Sequence, residues 1–366
     1  MAMISDNDPV YELLDKWHEE NQYEKILEKI AEIPLEERSN KLWFRKISAL
    51  NNMKRFSEAR MEIGTLAKRC TEDKDTAKLF YMLGYIYDNT DSELKAVECY
   101  RHTRALDPDY EGLQELIDSA MEYVNKDMEG VQNSFGKLFP DAKSAFEKEE
   151  DPRDLDETEA FQYIALVESS FIPSGLGVKV PLDQPFFQCG EEDKEKVKAL
   201  LSSKFGVTDI GSLREWFGKN RNGQHLAEVM MALDEEVEIP VEKMSIAGRT
   251  RFDADQLVIR YLKGFLPKAG ILAWDFCAVL ALARLAFAVD LLSNTEFVET
   301  TLFFTDECRR NFDSWEEFSR SLVVGAFYSA MCFETSYDIN SSARFAIGTG
   351  ILCMQNYPKL KWIGSK

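Results

Sequence analysis

The sequence predicts an all-α protein, built as a short array of helical hairpins followed by a compact, mainly helical domain. Apolar residues recur three to four positions apart along most of the 366 residues, the spacing that lines one face of a helix. No run alternates apolar and polar positions as a half-buried strand would. One long apolar stretch, 270–292, has the composition of a helix buried inside a domain.

The most legible unit is 77–110, AKLFYMLGYIYDNTDSELKAVECYRHTRALDPDY. Phe80, Leu83, Gly84 and Tyr87 share one face of its first helix. Ala96, Tyr100 and Thr103 do the same in the second, and Asp107-Pro108 ends it. Gly84 and Ala96 are small where two helices must approach closely. An earlier unit carries Trp43, Ile47 and Leu50 in LWFRKISALNN and Ala59 in RFSEARMEIGTLA, with Ile47 in place of the glycine. A weaker pair, 10–17 and 23–30, precedes it. This pattern resembles the tetratricopeptide repeat, whose period is about 34 residues. The resemblance implies a binding surface or packing platform without chemistry of its own.

The array is expected over 1–125, closed by a capping helix bearing Leu113, Leu116, Ile117, Ala120 and Tyr123. A polar, acidic connecting segment follows over 126–157, with EKEEDPRDLDE at its core. A single helix over 129–148 is left open. Val131, Phe135, Leu138, Phe139 and Phe146 need burial, so this segment is expected to pack rather than swing freely.

The second domain, 158–366, opens with EAFQYIALVESS as a helix and FIPSGLGVKVPLDQPFF as an irregular stretch. Helices are expected at 191–204, 209–220, 223–233, 253–263, 269–292, 294–310, 314–333 and 340–354. Pro240 keeps VEIPVEK out of a long helix.

Composition narrows the function. A net charge of -20 repels phosphates over most of the surface and argues against nucleic acid or an anionic membrane as partner. Asp275, Arg284 and Asp290 interrupt the 270–292 stretch, which falls short of the roughly 20 apolar residues of a membrane span. Seven cysteines without a CxxC spacing, and an N-terminal stretch without a basic or apolar leader pattern, point to a reducing, cytoplasmic setting. The three histidines, His18, His102 and His225, are isolated, and no metal-ligand spacing links them to cysteine or carboxylate. The glycine clusters GLGVK and GTG match neither phosphate-binding loop, and GxSxG is absent. No cofactor is expected.

A second resemblance rests on order and spacing over about 160 residues. Phe205-Gly206-Val207-Thr208, Ala273-Trp274-Asp275, and Ser314-Trp315-Glu316-Glu317-Phe318 with Gly325 together resemble a bacterial family known only as a domain of unknown function, number 1266. Ala278 stands where the family pattern has an arginine, and Phe205 where it often has tryptophan. The resemblance implies a fold and no reaction.

Two kinds of site follow. Asp275 sits between Trp274 and Phe276 in the most apolar stretch, where a carboxylate must be paired, hydrogen-bonded or protonated. Trp274, Asp275 and an arginine such as Arg320 are therefore the candidate buried ion pair or pocket. Ser314 and Glu317 make an S-x-x-E capping box, with the glutamate expected to return to the serine amide. In the array, Trp17, Tyr23, Trp43, Phe44, Phe80, Tyr81, Tyr85 and Tyr87 exceed what the inter-repeat core requires. Trp17, Tyr23, Trp43, Tyr81 and Tyr85 are the candidate interaction surface. The leading expectation is a protein that binds a partner protein or peptide; the alternative is an enzyme or small-ligand binder around Asp275. Neither the oligomeric state nor a partner's identity is written in the sequence.

Overall fold

The computed structural model describes residues 5, 8–90, 92–147, 186–220, 244–333, 338–356 and 362, and every regular element among them is helical. In chain order these are α1 (Val10–Glu19), α2 (Tyr23–Ala31), α3 (Asn40–Asn52), α4 (Phe56–Leu66), α5 (Asp73–Asp88), α6 (Glu93–Leu106) and α7 (Leu113–Glu147). They continue with α8 (Glu191–Phe205), α9 (Ile210–Asn220), α10 (Ile246–Leu262), α11 (Leu272–Ala288), α12 (Asn294–Asn311), α13 (Trp315–Phe333) and α14 (Ile339–Asn356). The segments expected at 223–233, at VEIPVEK, and from EAFQYIALVESS through GLGVK lie outside the described residues, as does His225. Two compact units divide the chain. The first is Met1–Met128, Glu238–Leu257 and Glu334–Asp338; the second is Glu129–Val237, Val258–Phe333 and Ile339–Lys366.

In the first unit α1–α2, α3–α4 and α5–α6 pack as successive hairpins, joined through α2–α3, α3–α5 and α4–α5 contacts. The first helix of each hairpin stops in the same way. The amides of Gln22, Arg55 and Ser92 donate back to the carbonyls of Trp17, Leu50 and Tyr87, the six-to-one bond of a Schellman cap. Asn21 and Lys54, at matching places in the first two turns, are left-handed with φ of 56° and 57°. The motif therefore recurs after 33 residues from the first hairpin to the second and after 37 from the second to the third. Lys54 lacks the short polar side chain that eases this conformation, so the turn carries a small backbone cost there.

Trp43, Ile47, Leu50, Ala59, Phe80, Leu83, Tyr87, Ala96 and Tyr100 share one core. Gly84 makes it possible, because a β-carbon there would stand 2.6 Å from the Tyr100 ring and 3.0 Å from Cys99 Cβ. Leu113 and Ile117, from the start of α7, close that core. So does a segment remote in sequence: Thr250, on α10, lies 3.4 Å from Cys99 Sγ, and Ile246 packs on the same cluster.

The second unit takes the rest of α7. Where an acidic connecting segment was expected from 126, α7 runs unbroken to Glu147, through Pro140. Val131, Phe135, Leu138 and Phe139 are buried; Phe146 lies outside the described side chains. Phe135 packs edge-on against Phe265 at 5.6 Å and Phe327 at 5.9 Å between ring centroids. All of α11 except Ala278 is buried, as a helix apolar on every side requires. It packs on α8, α9, α12 and α13. No helix among the described residues is long and apolar enough to cross a membrane.

Candidate functional site

The motifs behind the second resemblance are structural joints. Gly206 ends α8 with φ of 66°. Its own amide reaches Ser202, and the Val207 amide reaches Leu201 at 3.0 Å, the glycine stop of a helix. Asp209 then starts α9, its carboxylate accepting the Ser212 amide at 2.8 Å while Ser212 Oγ accepts the Thr208 amide at 2.9 Å. Ser314 Oγ takes the Glu317 amide at 3.1 Å, but Glu317 returns to the Asp313 amide at 2.9 Å, not to that of Ser314 as expected. Trp315 is held edge-on by Trp362 at 4.7 Å.

Asp275 occupies the first turn of α11 and is 3% exposed; Trp274 is 5% exposed. α11 has no side-chain cap from its own N-terminal residue. The free Ala273 amide instead donates to Ser321 Oγ of α13 at 3.0 Å, inside the core. Four residues along α13, Gly325 faces Trp274, whose ring meets Phe345 of α14 edge-on at 6.1 Å. The second and third motifs thus interlock, which fixes Asp275 as part of a packed helix crossing.

Arg320 is not joined to this crossing. Its guanidinium lies over the Phe139 ring at 5.1 Å. It lines a cavity of about 10 Å³ with Leu138, Ala142, Glu316, Ser319, Val323 and Gly350, room for a single water molecule. Asp275 does not line it. A second, open cavity of about 460 Å³ lies along α8, between Glu195, Lys198, Ser202, Val207, Thr208 and Leu291.

Burial pushes the thiols of Cys99 and Cys308 up and that of Cys353 up to about 12, so these groups stay protonated and poorly nucleophilic. Among the described residues no group of three potential ligands could hold a metal ion.

In the first unit, Trp43 and Phe44 are each 4% exposed, and Phe80 and Tyr87 are buried as well. This corrects the placement of Trp43 on a surface: its ring is a core wall, with the Lys46 and Arg69 cations 5.6 and 6.0 Å from it. Trp17, Tyr23, Tyr81 and Tyr85 are half-buried. Trp17 and Tyr23 border the cluster of Tyr11, Leu14, Ile26 and Ile30. The Tyr81 ring lies tilted against that of Tyr110, 4.8 Å between centroids. Lys78, Tyr81 and Tyr85 follow one face of α5 at helical spacing.

Sequence reading missed one polar contact altogether. His102 Nε2 of α6 and Asp253 Oδ2 of α10 are 2.6 Å apart, with the His102 ring 4.6 Å from that of Phe80. Glu98, one turn before His102, is paired with Arg101 at 2.6 Å. Burial holds the Glu98 carboxyl above its ordinary range, against the pull of Arg101. No local signal announces the His102–Asp253 contact, because a single histidine and a single aspartate 151 residues apart form no motif.

The family described as "Protein of unknown function (DUF1266)" matches residues 87–362. The match begins at Tyr87, in the last turn of α5, and takes in α6, α7 and all the later helices. No curated protein and no solved structure matches the chain.

Proposed function

Because the chain belongs to this family of proteins of unknown function, we propose its role from its surfaces: it is an interaction protein, and the tetratricopeptide-like array α1–α6 receives a segment of a partner protein. Stacked helical hairpins present extended faces that commonly serve as binding surfaces. The observation that carries the reading is Tyr85, half-buried on the outer face of α5 in line with Lys78 and Tyr81. A rigid aromatic ring at such a place supplies contact area at low entropic cost. The alternative would place a ligand pocket around Asp275. That residue is 3% exposed and lines neither cavity described above.

The test is recovery of partner proteins by the full chain and by Tyr85→Ala, compared by quantitative mass spectrometry after purification from cells. A specific partner should fall at least tenfold with the variant while its helical signal and melting stay those of the parent. Unchanged recovery of every partner by a folded Tyr85→Ala protein would overturn the proposal.

A further inference from the structure

The array carries a cluster of cations on a chain whose net charge is -20. Lys41 and Arg45 stand one turn apart on α3, and Lys78 stands on α5, which packs against α3. Aromatic rings lie beneath two of them. Lys78 Nζ is 4.7 Å from the centre of the Phe44 ring, and Lys41 Nζ is 4.0 Å from that of Tyr11. Arg45 pairs with Asp15. Asp75, the carboxylate nearest Lys78 along α5, accepts the Asn40 amide group at 2.8 Å. Burial and the neighbouring Arg45 and Lys41 charges all lower the Lys78 pKa, with Asp75 only partly opposing them. Lys78 has no carboxylate at ion-pairing distance among the described residues. Its ammonium therefore sits over a ring, among like charges, with hydrogen-bonding capacity facing outward.

We propose that Lys78, with Lys41 and Arg45 beside it, recognises carboxylate side chains of an acidic peptide segment, whose apolar residues rest against Tyr85. This deepens the interaction reading above and rests on it. The overall negative charge of the chain does not forbid such a guest. Charges more than about 8 Å away are largely screened at physiological salt, whereas a carboxylate reaching Lys78 lies well inside that distance. Polyanionic nucleic acid would place many phosphates against the acidic remainder and is disfavoured.

The experiment uses the full chain and two fluorescein-labelled heptapeptides, Gly-Phe-Glu-Glu-Phe-Glu-Glu and its counterpart with glutamine for every glutamate, followed by fluorescence anisotropy. The glutamate peptide should bind at least tenfold more tightly, and the advantage should shrink as salt is raised. Lys78→Glu should abolish the preference and the milder Lys78→Gln should reduce it severalfold, while Lys198→Glu, far along the chain on α8, should leave it intact. Circular dichroism identifies any variant that fails to fold, and the glutamine variant then decides. Equal binding of the two peptides, or an undiminished preference in a folded Lys78 variant, would overturn the inference while leaving the array a peptide-binding surface. Binding of neither peptide would overturn it as well; only the partner-recovery experiment with Tyr85→Ala then decides whether the broader reading falls too.

Discussion

Gly325 of α13 meets the side chain of Trp274 of α11 so closely that any β-carbon at 325 would collide with Trp274 Cβ and stand 2.9 Å from its Cγ. Ile271 Cβ, one turn earlier at the start of α11, would be 3.2 Å away. The contact lets two helices cross nearly backbone to backbone, at the turn that carries Asp275.

Gly325→Ala should therefore destabilise the protein by about 1–3 kcal/mol, the usual cost of overpacking a core. Gly348 of α14 is the internal control, since nothing lies within 4 Å of a β-carbon placed there. Gly348→Ala should stabilise by about 0.5–1 kcal/mol, because glycine is a poor residue for a helix interior. Urea unfolding of both variants measures the contrast. Similar effects from the two substitutions would mean that the α11–α13 crossing is looser than the geometry implies.

The start of α12 provides a pH dependence. Ser293 Oγ accepts the Glu296 amide at 3.2 Å, and Glu296 accepts the Ser293 amide at 3.0 Å. Arg214 of α9 adds a bond to Glu296 at 2.7 Å. The Ser293 amide first, then its hydroxyl and Arg214, hold the Glu296 carboxyl down at about 2, below the ordinary 4.5. A carboxylate with a depressed folded-state value stabilises the fold above its unfolded value, and that contribution is lost as pH falls toward the folded one. The stability gap between the parent and Glu296→Gln should accordingly be constant above about pH 5 and close between about pH 4.5 and 2. Ser293→Ala should cost about 1 kcal/mol at neutral pH as a lost helix cap. A gap that does not change down to the acid transition would refute the assignment.

His102 and Asp253 can be tested by a double-mutant cycle. With both side chains mostly shielded from solvent, His102→Ala and Asp253→Ala should show a coupling of about 0.5–3 kcal/mol in unfolding free energy. Strict additivity would mean that the two groups, although 2.6 Å apart, contribute nothing jointly to the first unit.

Much of the helical inventory was legible, and the reason is periodicity. The stretches read at 191–204, 209–220, 294–310 and 314–333 correspond to α8, α9, α12 and α13 within a residue or so at each end. The small residue at 84 and the apolar run at 270–292 were legible because close approach and full burial each demand a narrow choice of side chain. The 126–147 stretch was harder. The apolar stripe of Val131, Phe135, Leu138 and Phe139 was legible and its burial expected, but the Lys, Glu and Asp residues that coat the outer face of α7, together with Pro140, left a single continuous helix only one of the readings. Trp43 misled for a related reason, since sequence cannot distinguish an aromatic ring that covers a core from one that belongs to it. Arg320 was a reasonable partner for Asp275 by composition alone, yet it stacks on Phe139; side-chain reach across helices depends on crossing geometry that no local pattern encodes. Helical spacing placed Tyr81 and Tyr85 on one face of α5, where both are half-buried, while no pattern announced the Lys78–Phe44 contact between α5 and α3.

The bond between His102 and Asp253 also sets a clock for the newly made chain. Their 151-residue separation, at a synthesis rate of about 5–20 residues per second, means that His102 is made roughly 8 to 30 seconds before its partner side chain exists. During that interval Cys99 and His102 must wait without Thr250 and Asp253, whatever the hairpins have already formed. A nascent protein halted after α6 has emerged and before Asp253 is made would present this side of α6 bare, so translation speed through the middle of the message is tied to how long an unfinished surface is open to the cell.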